Sequence, residues 1–442
     1  MTIATLNRRW RPPVLLAIWA AAFILLWIDL RWLHDAASAA LGGFVLLSLL
    51  DARRETWMVM TLIAGLGGIL VLFGAHPGEI LHGLDRSLIF AALLPTLSLT
   101  RAVARGMPSV RAAQYRIAGL PQRWAGIGLL FGAHAFGSVL TTGAFALMSA
   151  VVPDDAPEAD RRAAALATLR GMNTVALFSP FLVGFAVAYT YLPDVPVWQV
   201  FALGGALAAV GHGIGLAMFA RPLSWQGVRA GLGCLAPIAV PMGGAAVLVV
   251  VASQLLPIST LGAVLVVMPA LAALHFAGRP HRIAPVLSET RDAMGRLGDD
   301  LAIVSAAMIL GTLAETAPPV RELVAPWIAA HLPPWAAFGV TSGSMILFAL
   351  AGMHPMITGT VMMAAFAGSG LAIADLPLML AMLFGWGLGS MNSISSLSLI
   401  TAAQMFRVRP LGLAFGPNLL FTLVFGLLAT AVLTLLNAEL IG

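Results

Sequence analysis

Apolar runs long enough to cross a lipid bilayer follow one another along the whole of this 442-residue chain. Hydrophobic residues make up 60% of the sequence and charged residues only 10%, whereas a soluble globular domain carries about 25% charged residues. Lipid offers no hydrogen-bond partner to backbone groups, so each run that spans the bilayer has to be helical. The sequence therefore predicts an all-α polytopic membrane protein, with the lipid bilayer as a partner.

Eleven runs are interpreted as transmembrane helices. The first follows three arginines and is about the length of a full span, so it is interpreted as a retained helix rather than a cleaved signal peptide. The spans lie at roughly 13–32, 36–50, 56–74, 86–100, 165–190, 196–219, 231–252, 257–278, 299–316, 376–402 and 410–437. A basic connector at 101–123 and an apparently amphipathic one at 317–333 lie between them.

Two further apolar stretches, 124–152 and 334–371, are interrupted by small polar residues. The first is interrupted at Gly137-Ser138 and Thr141-Thr142-Gly143, and the second between His354 and Thr360. Each half is too short to cross about 30 Å of hydrocarbon. Both stretches are therefore predicted to be re-entrant helical hairpins. The spans that follow them are predicted to be broken, near Asn173 and Asn392.

The polar interruptions recur in the same order in the two halves of the chain. Thr142-Gly143 and Thr358-Gly359 are 216 residues apart, and Met172-Asn173 and Met391-Asn392 are 219 apart. Two matches at almost one offset indicate a duplicated unit. Polar breaks at corresponding positions of two repeats are the best sequence pointer to the binding site of a transporter.

The arginines predict how the chain is oriented. All 24 basic residues are arginine. With a cytoplasmic N-terminus and each hairpin returning to its own side, twenty lie in cytoplasmic segments, three lie outside and Arg170 lies within a span. This bias satisfies the positive-inside rule. It predicts a first hairpin that enters from the cytoplasm, a second that enters from outside, inverted repeats and an outside C-terminus. We expect a bacterial cytoplasmic (inner) membrane protein. The arginines form no contiguous patch, so nucleic-acid binding is not expected.

Eleven spans, one hairpin from each face and a broken helix after each hairpin resemble the ion transporter superfamily, with an architecture like that of the divalent-anion/sodium symporters. Those symporters carry Ser-Asn-Thr at the hairpin tips, whereas this chain has Thr141-Thr142-Gly143 and Ile357-Thr358-Gly359-Thr360 there. The resemblance implies a homodimer in which a transport domain slides as an elevator against a fixed scaffold. The corresponding division is 1–123 scaffold, 124–190 transport domain (repeat 1), 191–333 scaffold and connecting helices, 334–402 transport domain (repeat 2) and 403–442 a C-terminal helix.

Unpaired N–H groups at the starts of half-helices can hold an anion, and freed carbonyls at their ends suit a cation. The predicted substrate-binding residues are Ser138, Thr141, Thr142, Arg170, Asn173, Thr174, His354, Thr358, Thr360, Asn392 and Ser393. A sodium ion is considered near Thr142, Asn173, Thr358 and Asn392. Taken singly, these small polar residues are also suited to close helix packing.

Three side chains have two interpretations each. A charge within a span costs about 2.5–3.5 kcal/mol, so Arg170 is a functional candidate, although it can also snorkel to the cytoplasmic surface. His354 and His134 can bind substrate or titrate during proton coupling, or donate a structural hydrogen bond. No cofactor is predicted, and the coupling ion is expected to be Na⁺ or H⁺.

These observations favour a secondary active transporter of a small, carboxylate-like organic anion. The alternatives in the same superfamily are an inorganic oxyanion transporter and a cation/proton antiporter, and the latter is disfavoured because no carboxylate falls at the middle of a span. No GxxxxGK[ST] motif is present, so direct use of ATP is not expected. An intramembrane enzyme using His134 or His354 lacks a recognisable nucleophile and base pair, so the chain is predicted not to be an enzyme. A passive channel would share the polar breaks but would not need two inverted halves.

Overall fold

A computed structural model of the chain describes residues 3–220, 223–367 and 369–441, and the described residues contain helices but no strand. π-helical turns at Val200–Gly204 and Val320–Val324 directly precede the helices Gly205–Phe219 and Ala325–His331. The helices in chain order are α1 (Ile3–Leu25), α2 (Arg31–Leu49), α3 (Arg54–Leu72), α4 (Glu79–Arg105), α5 (Pro108–Ala118), α6 (Ala125–Leu140), α7 (Gly143–Ser149), α8 (Glu158–Thr174), α9 (Val183–Tyr191), α10 (Val197–Gln199), α11 (Gly205–Phe219), α12 (Trp225–Gly233), α13 (Ala236–Leu255), α14 (Thr260–Ala277), α15 (Ile283–Met294), α16 (Gly298–Thr316), α17 (Ala325–His331), α18 (Pro334–Leu350), α19 (Pro355–Phe366), α20 (Asp375–Asn392), α21 (Leu397–Phe406), α22 (Pro410–Ala414) and α23 (Pro417–Ile441).

Within the described residues, eight helices or helix pairs are long and apolar enough to cross a membrane, or nine if the bent pair Pro280–Met294 and Gly298–Thr316 is one span. Three predicted spans lie outside the eight. The helix α1 carries three arginines, α16 carries three carboxylates, and the span at 165–190 is divided between α8 and α9. The multi-pass helical architecture is confirmed, while the count of eleven spans remains a prediction.

Both predicted hairpins are present as helix–turn–helix units. In the first, α6 ends at Leu140 and α7 begins at Gly143. Thr141 in the turn has a φ of +49°, a left-handed conformation that non-glycine residues rarely adopt. In the second, α18 and α19 are separated by residues 351–354, where Gly352 has a φ of +90°. The two chain reversals therefore come from tight turns in otherwise apolar sequence.

Both predicted helix breaks are present, and local sequence explains each. After α8, Pro180 has no N–H and disfavours helical geometry at Ser179, so regular helix resumes only at α9. After α20, the Ser396 side chain accepts a hydrogen bond from the Leu399 N–H and caps the start of α21. The interruptions therefore have local causes in the sequence.

The first arm of each hairpin packs along the broken helix that follows it, α6 on α8 and α18 on α20, and α8 also contacts α20. The first of these contacts is very close: a Cβ at Gly171 would lie 2.0 Å from the Leu130 carbonyl oxygen. On the other side of the molecule, α4 packs against α1, α2, α14, α15 and α16. The C-terminal helix α23 lies against α18 and α20.

Ion pairs join helix ends that the arginine distribution predicts to lie on one side of the membrane. Arg53 contacts Asp299 at 2.6 Å, at the predicted cytoplasmic ends of α3 and α16. Arg86 donates to both carboxylate oxygens of Glu315 at 2.8 Å, at the predicted outer ends of α4 and α16. The helix directions in the bundle thus agree with the predicted up-and-down order of these spans.

Candidate functional site

The tip of the first hairpin is bonded to the break after α8. The Ser179 hydroxyl donates to the Ser138 carbonyl at 2.9 Å, while the Ser138 hydroxyl donates to Ala135 within α6 at 2.7 Å. Ser138 and Thr141 are both buried. Thr142 lies beside them in the turn, directly before α7. The structure therefore places these three predicted residues at one helix junction, together with Ser179, which the sequence analysis did not identify.

The second half repeats this arrangement. The Ser395 hydroxyl, in the break after α20, donates to the Gly352 carbonyl in the second hairpin turn at 2.9 Å and shares a 2.9 Å hydrogen bond with the Ser393 hydroxyl. In both halves a serine of the helix break thus holds a carbonyl of the hairpin tip. Ser179 and Ser395 are 216 residues apart, the offset already seen for Thr142 and Thr358. Searching for serines at that offset would have found them.

The predicted residues of the second tip lie at and beyond the start of a helix. His354 caps α19, because its side chain accepts a hydrogen bond from the Met356 N–H at 3.2 Å. Thr358 and Thr360 lie inside α19 rather than in the turn, and the Thr360 hydroxyl donates to the Met356 carbonyl at 2.9 Å. The repeat match of Thr358 to Thr142 therefore joins a helical residue to a turn residue, which differs from the expected geometry.

Asn173 and Asn392 are equivalent in structure as well as in sequence. Each donates through Nδ2 to the carbonyl four residues earlier, at 2.9 Å for Asn173 and 2.8 Å for Asn392. The Asn392 Nδ2 also contacts the Thr422 hydroxyl at 2.7 Å. Because its amide nitrogen faces a carbonyl, the amide oxygen of Asn392 points elsewhere, and this buried oxygen has no hydrogen-bond partner among the described residues.

The two broken helices make a close contact between Asn173 of α8 and Gly387 of α20. A Cβ at Gly387 of α20 would lie 2.4 Å from the Asn173 carbonyl oxygen, so only a glycine permits this contact. This close approach packs α20 directly against the end of α8.

A cavity of about 390 Å³ separates the first hairpin tip from α4, α13 and α14; we call it the tip cavity. Its wall is mostly hydrocarbon, and hydroxyl groups interrupt it at a few points. The hydroxyl-bearing lining residues are Thr100, Ser109, Ser138 and Ser179. The tip cavity is therefore apolar, and its few polar groups lie at the helix break and near the neighbouring end of α4.

Arg170 faces a different cavity, of about 760 Å³, which we call the arginine cavity. The guanidinium donates to the Asn418 side chain at 2.8 Å and lies over the Phe219 ring at 4.3 Å. The cavity is lined at helix ends that the arginine distribution predicts to be cytoplasmic, with Asp155 and Asp160 also in its wall. Ser138 and Arg170 thus line separate cavities.

Thr174 belongs to a third group of side chains, only some of which were predicted from the sequence. Its hydroxyl lies 3.1 Å from Nδ1 of His134 and 3.0 Å from Nε2 of His212. His212 was not among the residues predicted from the sequence, although an ionisable residue between two glycines within an apolar span is a signal of function.

No family model matches the chain, and no curated protein matches it. Among solved structures, it is similar to the crystal structure of the YdaH transporter of Alcanivorax borkumensis, which was described as having an unusual topology. The TM-score is 0.54 at 15% sequence identity, and the match covers 88% of this chain and 97% of that chain. The likeness shows a shared helical membrane fold. It does not single out the divalent-anion/sodium symporters, so that resemblance still depends on the sequence.

Proposed function

We propose that this chain is a secondary active transporter that moves a small organic anion across the bacterial cytoplasmic membrane by an elevator motion coupled to a Na⁺ or H⁺ gradient. The observation that carries the proposal is the repeated junction of hairpin tip and broken helix, made by Ser179 on Ser138 and by Ser395 on Gly352. The proposal is also supported by the fold that this chain shares with a structure described as a transporter. Two such junctions from inverted repeats are what alternating access about a central site requires.

The tip cavity is the proposed substrate site. A volume of about 390 Å³ is in the range of small-molecule pockets. The start of α9, just after Phe181 of the cavity wall, is a helix N-terminus suited to an anionic head group, while the hydrocarbon wall is suited to an apolar body. The apolar wall favours an organic anion over an inorganic oxyanion, which would leave most of that surface without a polar partner.

The elevator is supported by the contact between hairpin and scaffold. A Cβ at Gly143, the first residue of α7, would lie 3.4 Å from the guanidinium of Arg105 at the predicted cytoplasmic end of α4. The first hairpin tip is thus beside the cytoplasmic end of a scaffold helix, as expected for an inward-facing position. In the proposed cycle, α6 to α9 and α18 to α21 move together toward the outside, and the scaffold forms the homodimer contact.

Two features of the structure are suited to binding a coupling ion. The amide oxygen of Asn392 is a buried acceptor without a described partner, and a carbonyl-type oxygen of this kind is a suitable sodium ligand. The two histidines that meet at Thr174 are titratable side chains and are the proposed carriers of a coupling proton. In the arginine cavity, Arg170 is proposed as the cytoplasmic contact for the anion, since a guanidinium binds carboxylates with two parallel hydrogen bonds.

The test is a thermal-shift screen of small organic and inorganic anions on the purified protein, with and without sodium and at several pH values, because a specific ligand stabilises the state that it binds. Stabilising ligands are then tested for uptake into proteoliposomes. The proposal expects saturable uptake that collapses with the ion gradient. It also expects weaker uptake by Ser179→Ala, which removes the bond between the helix break and the hairpin tip, and normal uptake by the control Ser253→Ala, whose hydroxyl donates within α13.

Stabilisation by sulfate or phosphate but by no organic anion would replace the organic substrate with an inorganic one. Flux that rises linearly with concentration and ignores the gradient would contradict a secondary transporter and favour a passive channel. Cysteines at Thr142 and Thr358 test the motion separately: opposite changes in labelling on addition of substrate are expected from an elevator, and unchanged labelling at both would contradict it.

A further inference from the structure

Two histidines from different helices, His212 buried and His134 half-buried, meet at the hydroxyl of Thr174. His134 lies on α6, His212 on α11 and Thr174 at the last residue of α8. The two imidazole rings are perpendicular, with centroids 4.4 Å apart. Phe131 packs edge-on against His212, and Phe178 packs against His134. The pair is therefore enclosed by aromatic rings and bridged by one hydroxyl.

The hydrogen bonds fix which ring nitrogens carry hydrogen. Nδ1 of His134 lies 3.3 Å from the Gly171 carbonyl, which can only accept, so Nδ1 is a donor. The Thr174 hydroxyl lies 3.0 Å from the Arg170 and Gly171 carbonyls and spends its single hydrogen there. It must therefore accept from both rings, from Nδ1 of His134 and from Nε2 of His212. This assigns one neutral tautomer to each ring and leaves Nε2 of His134 and Nδ1 of His212 to take up a proton.

The cluster lies in the wall between the two cavities. On α6, Leu130 lines the arginine cavity one turn before His134, and Ser138 lines the tip cavity one turn after it. Along the next helix and its break, Arg170 and Phe178 flank Thr174 in the same way. On α11, His212 is one turn from Gly215 and Leu216, which line the arginine cavity. A proton bound at the cluster is thus one helical turn from each cavity.

The groups that face the rings include one fixed charge. Arg170 is one turn from Thr174, and its Cδ lies 3.5 Å from where a Cβ at Gly215 of α11 would be. From α23, Phe425 packs against Gly211, next to His212, and from α5 and α7, Ile117 and Met148 pack against Gly132, two residues before His134. The neighbours are therefore otherwise apolar. Two imidazolium rings this close repel each other, so the pair can take up one proton but not two.

We infer that His134, Thr174 and His212 form a proton-binding site that takes up one proton between the arginine cavity and the tip cavity and so couples substrate movement to a proton gradient. The inference builds on the proposed transport function and names its coupling ion. The proton adds to one ring nitrogen and no covalent bond other than N–H forms or breaks. A positive charge then lies behind Phe178 and Ser138 of the tip cavity, where it favours an anionic occupant.

The test uses ¹⁵N-histidine NMR of the purified full-length protein in detergent micelles, titrated between about pH 4 and pH 9, around the ordinary histidine pKa of about 6.5. Of the nine histidines, the two rings are assigned from the signals lost in His134→Gln and His212→Gln. We expect both signals to change with one common midpoint and to sum to one proton. In either variant the remaining ring should titrate at a midpoint shifted by about one pH unit or more, as for coupled sites.

The matched control is His82→Gln, which removes an exposed histidine of α4 and should leave the common midpoint unchanged. Thr174→Val keeps the shape of the side chain but removes the bridging hydroxyl, so it should split the common midpoint, and Thr174→Ser should restore it. Thermal unfolding of each variant shows that it is folded.

Rings that keep one protonation state across the whole range would overturn the inference. Two independent titrations, each unchanged when the other histidine is removed, would overturn it as well. Because the titration needs no substrate, its result does not depend on whether transport is observed. Absent uptake with an intact common titration would contradict the proposed function, whereas gradient-driven uptake by a protein with unresponsive rings would contradict only the proton site.

Discussion

The contact between α6 and α8 can be tested by adding a single methyl group. In Gly171→Ala the new Cβ would lie 2.0 Å from the Leu130 carbonyl oxygen, whereas ordinary contact begins at 3.4 Å, so these atoms would have to separate by 1.4 Å. Overpacking of this kind costs about 1–3 kcal/mol. The higher helix propensity of alanine recovers about 0.8–1 kcal/mol. Because a backbone oxygen would have to move by 1.4 Å, the cost belongs in the upper part of that range, about 2–3 kcal/mol, and we expect a net loss of about 1–2 kcal/mol in the free energy of unfolding.

The matched control is Gly68→Ala in α3, where no atom lies within 4 Å of the added Cβ. There only the propensity remains, so we expect a gain of up to about 1 kcal/mol. The assay is reversible unfolding of both variants in mixed micelles, followed by circular dichroism. A Gly171→Ala protein as stable as the wild type, or stabilised like Gly68→Ala, would refute the close packing of the first hairpin on the broken helix.

Three further experiments examine the site and the topology. Arg170→Lys keeps the charge but loses the geometry of the bond to Asn418. We expect a loss of about 1.5–3 kcal/mol in the free energy of unfolding or of anion binding. A lysine variant with the stability and affinity of the wild type would favour a side chain that only extends to the membrane surface. Ser179→Ala removes the bond to the hairpin tip, worth about 0.5–1.5 kcal/mol, and should speed the labelling of a cysteine placed at Thr142; equal rates would show that the serine does not hold the tip. In a cysteine-free background, a cysteine at Arg111 should be labelled only from the cytoplasmic side and one at Asp194 only from outside, and the reverse at Asp194 would contradict the inverted topology.

Local chemistry explains why much of the fold could be predicted from the sequence. Long apolar runs have to be helical in lipid, and runs interrupted by small polar residues have to turn or break. The turn at Thr141 and Thr142 and the helix ends near Asn173 and Asn392 were predicted on this basis and are present. Each of these turns and helix ends depends on residues that are neighbours in the chain, so the sequence alone was sufficient to predict them.

Local chemistry was less informative where a polar residue could be satisfied within a helix. Thr358 and Thr360 were expected in the second hairpin turn, but both lie in α19, where a threonine hydroxyl can donate to a carbonyl of its own helix. The turn falls instead at residues 351–354, before the His354 cap. The polar residues predicted the position of the second hairpin correctly, but they did not predict the residue at which α19 begins.

Partners that are distant in the chain were decided by the tertiary structure. Arg170 could not be matched to Asn418, 248 residues away, nor His134 to His212, because neither pair has a fixed spacing that a sequence pattern could show. The sequence determined the membrane class and the positions where helices turn or break, since each backbone group has to be satisfied close to where it lies in the chain. Packing of the helices decided which junctions share a cavity, because a side chain's distant neighbours depend on how every intervening helix is placed.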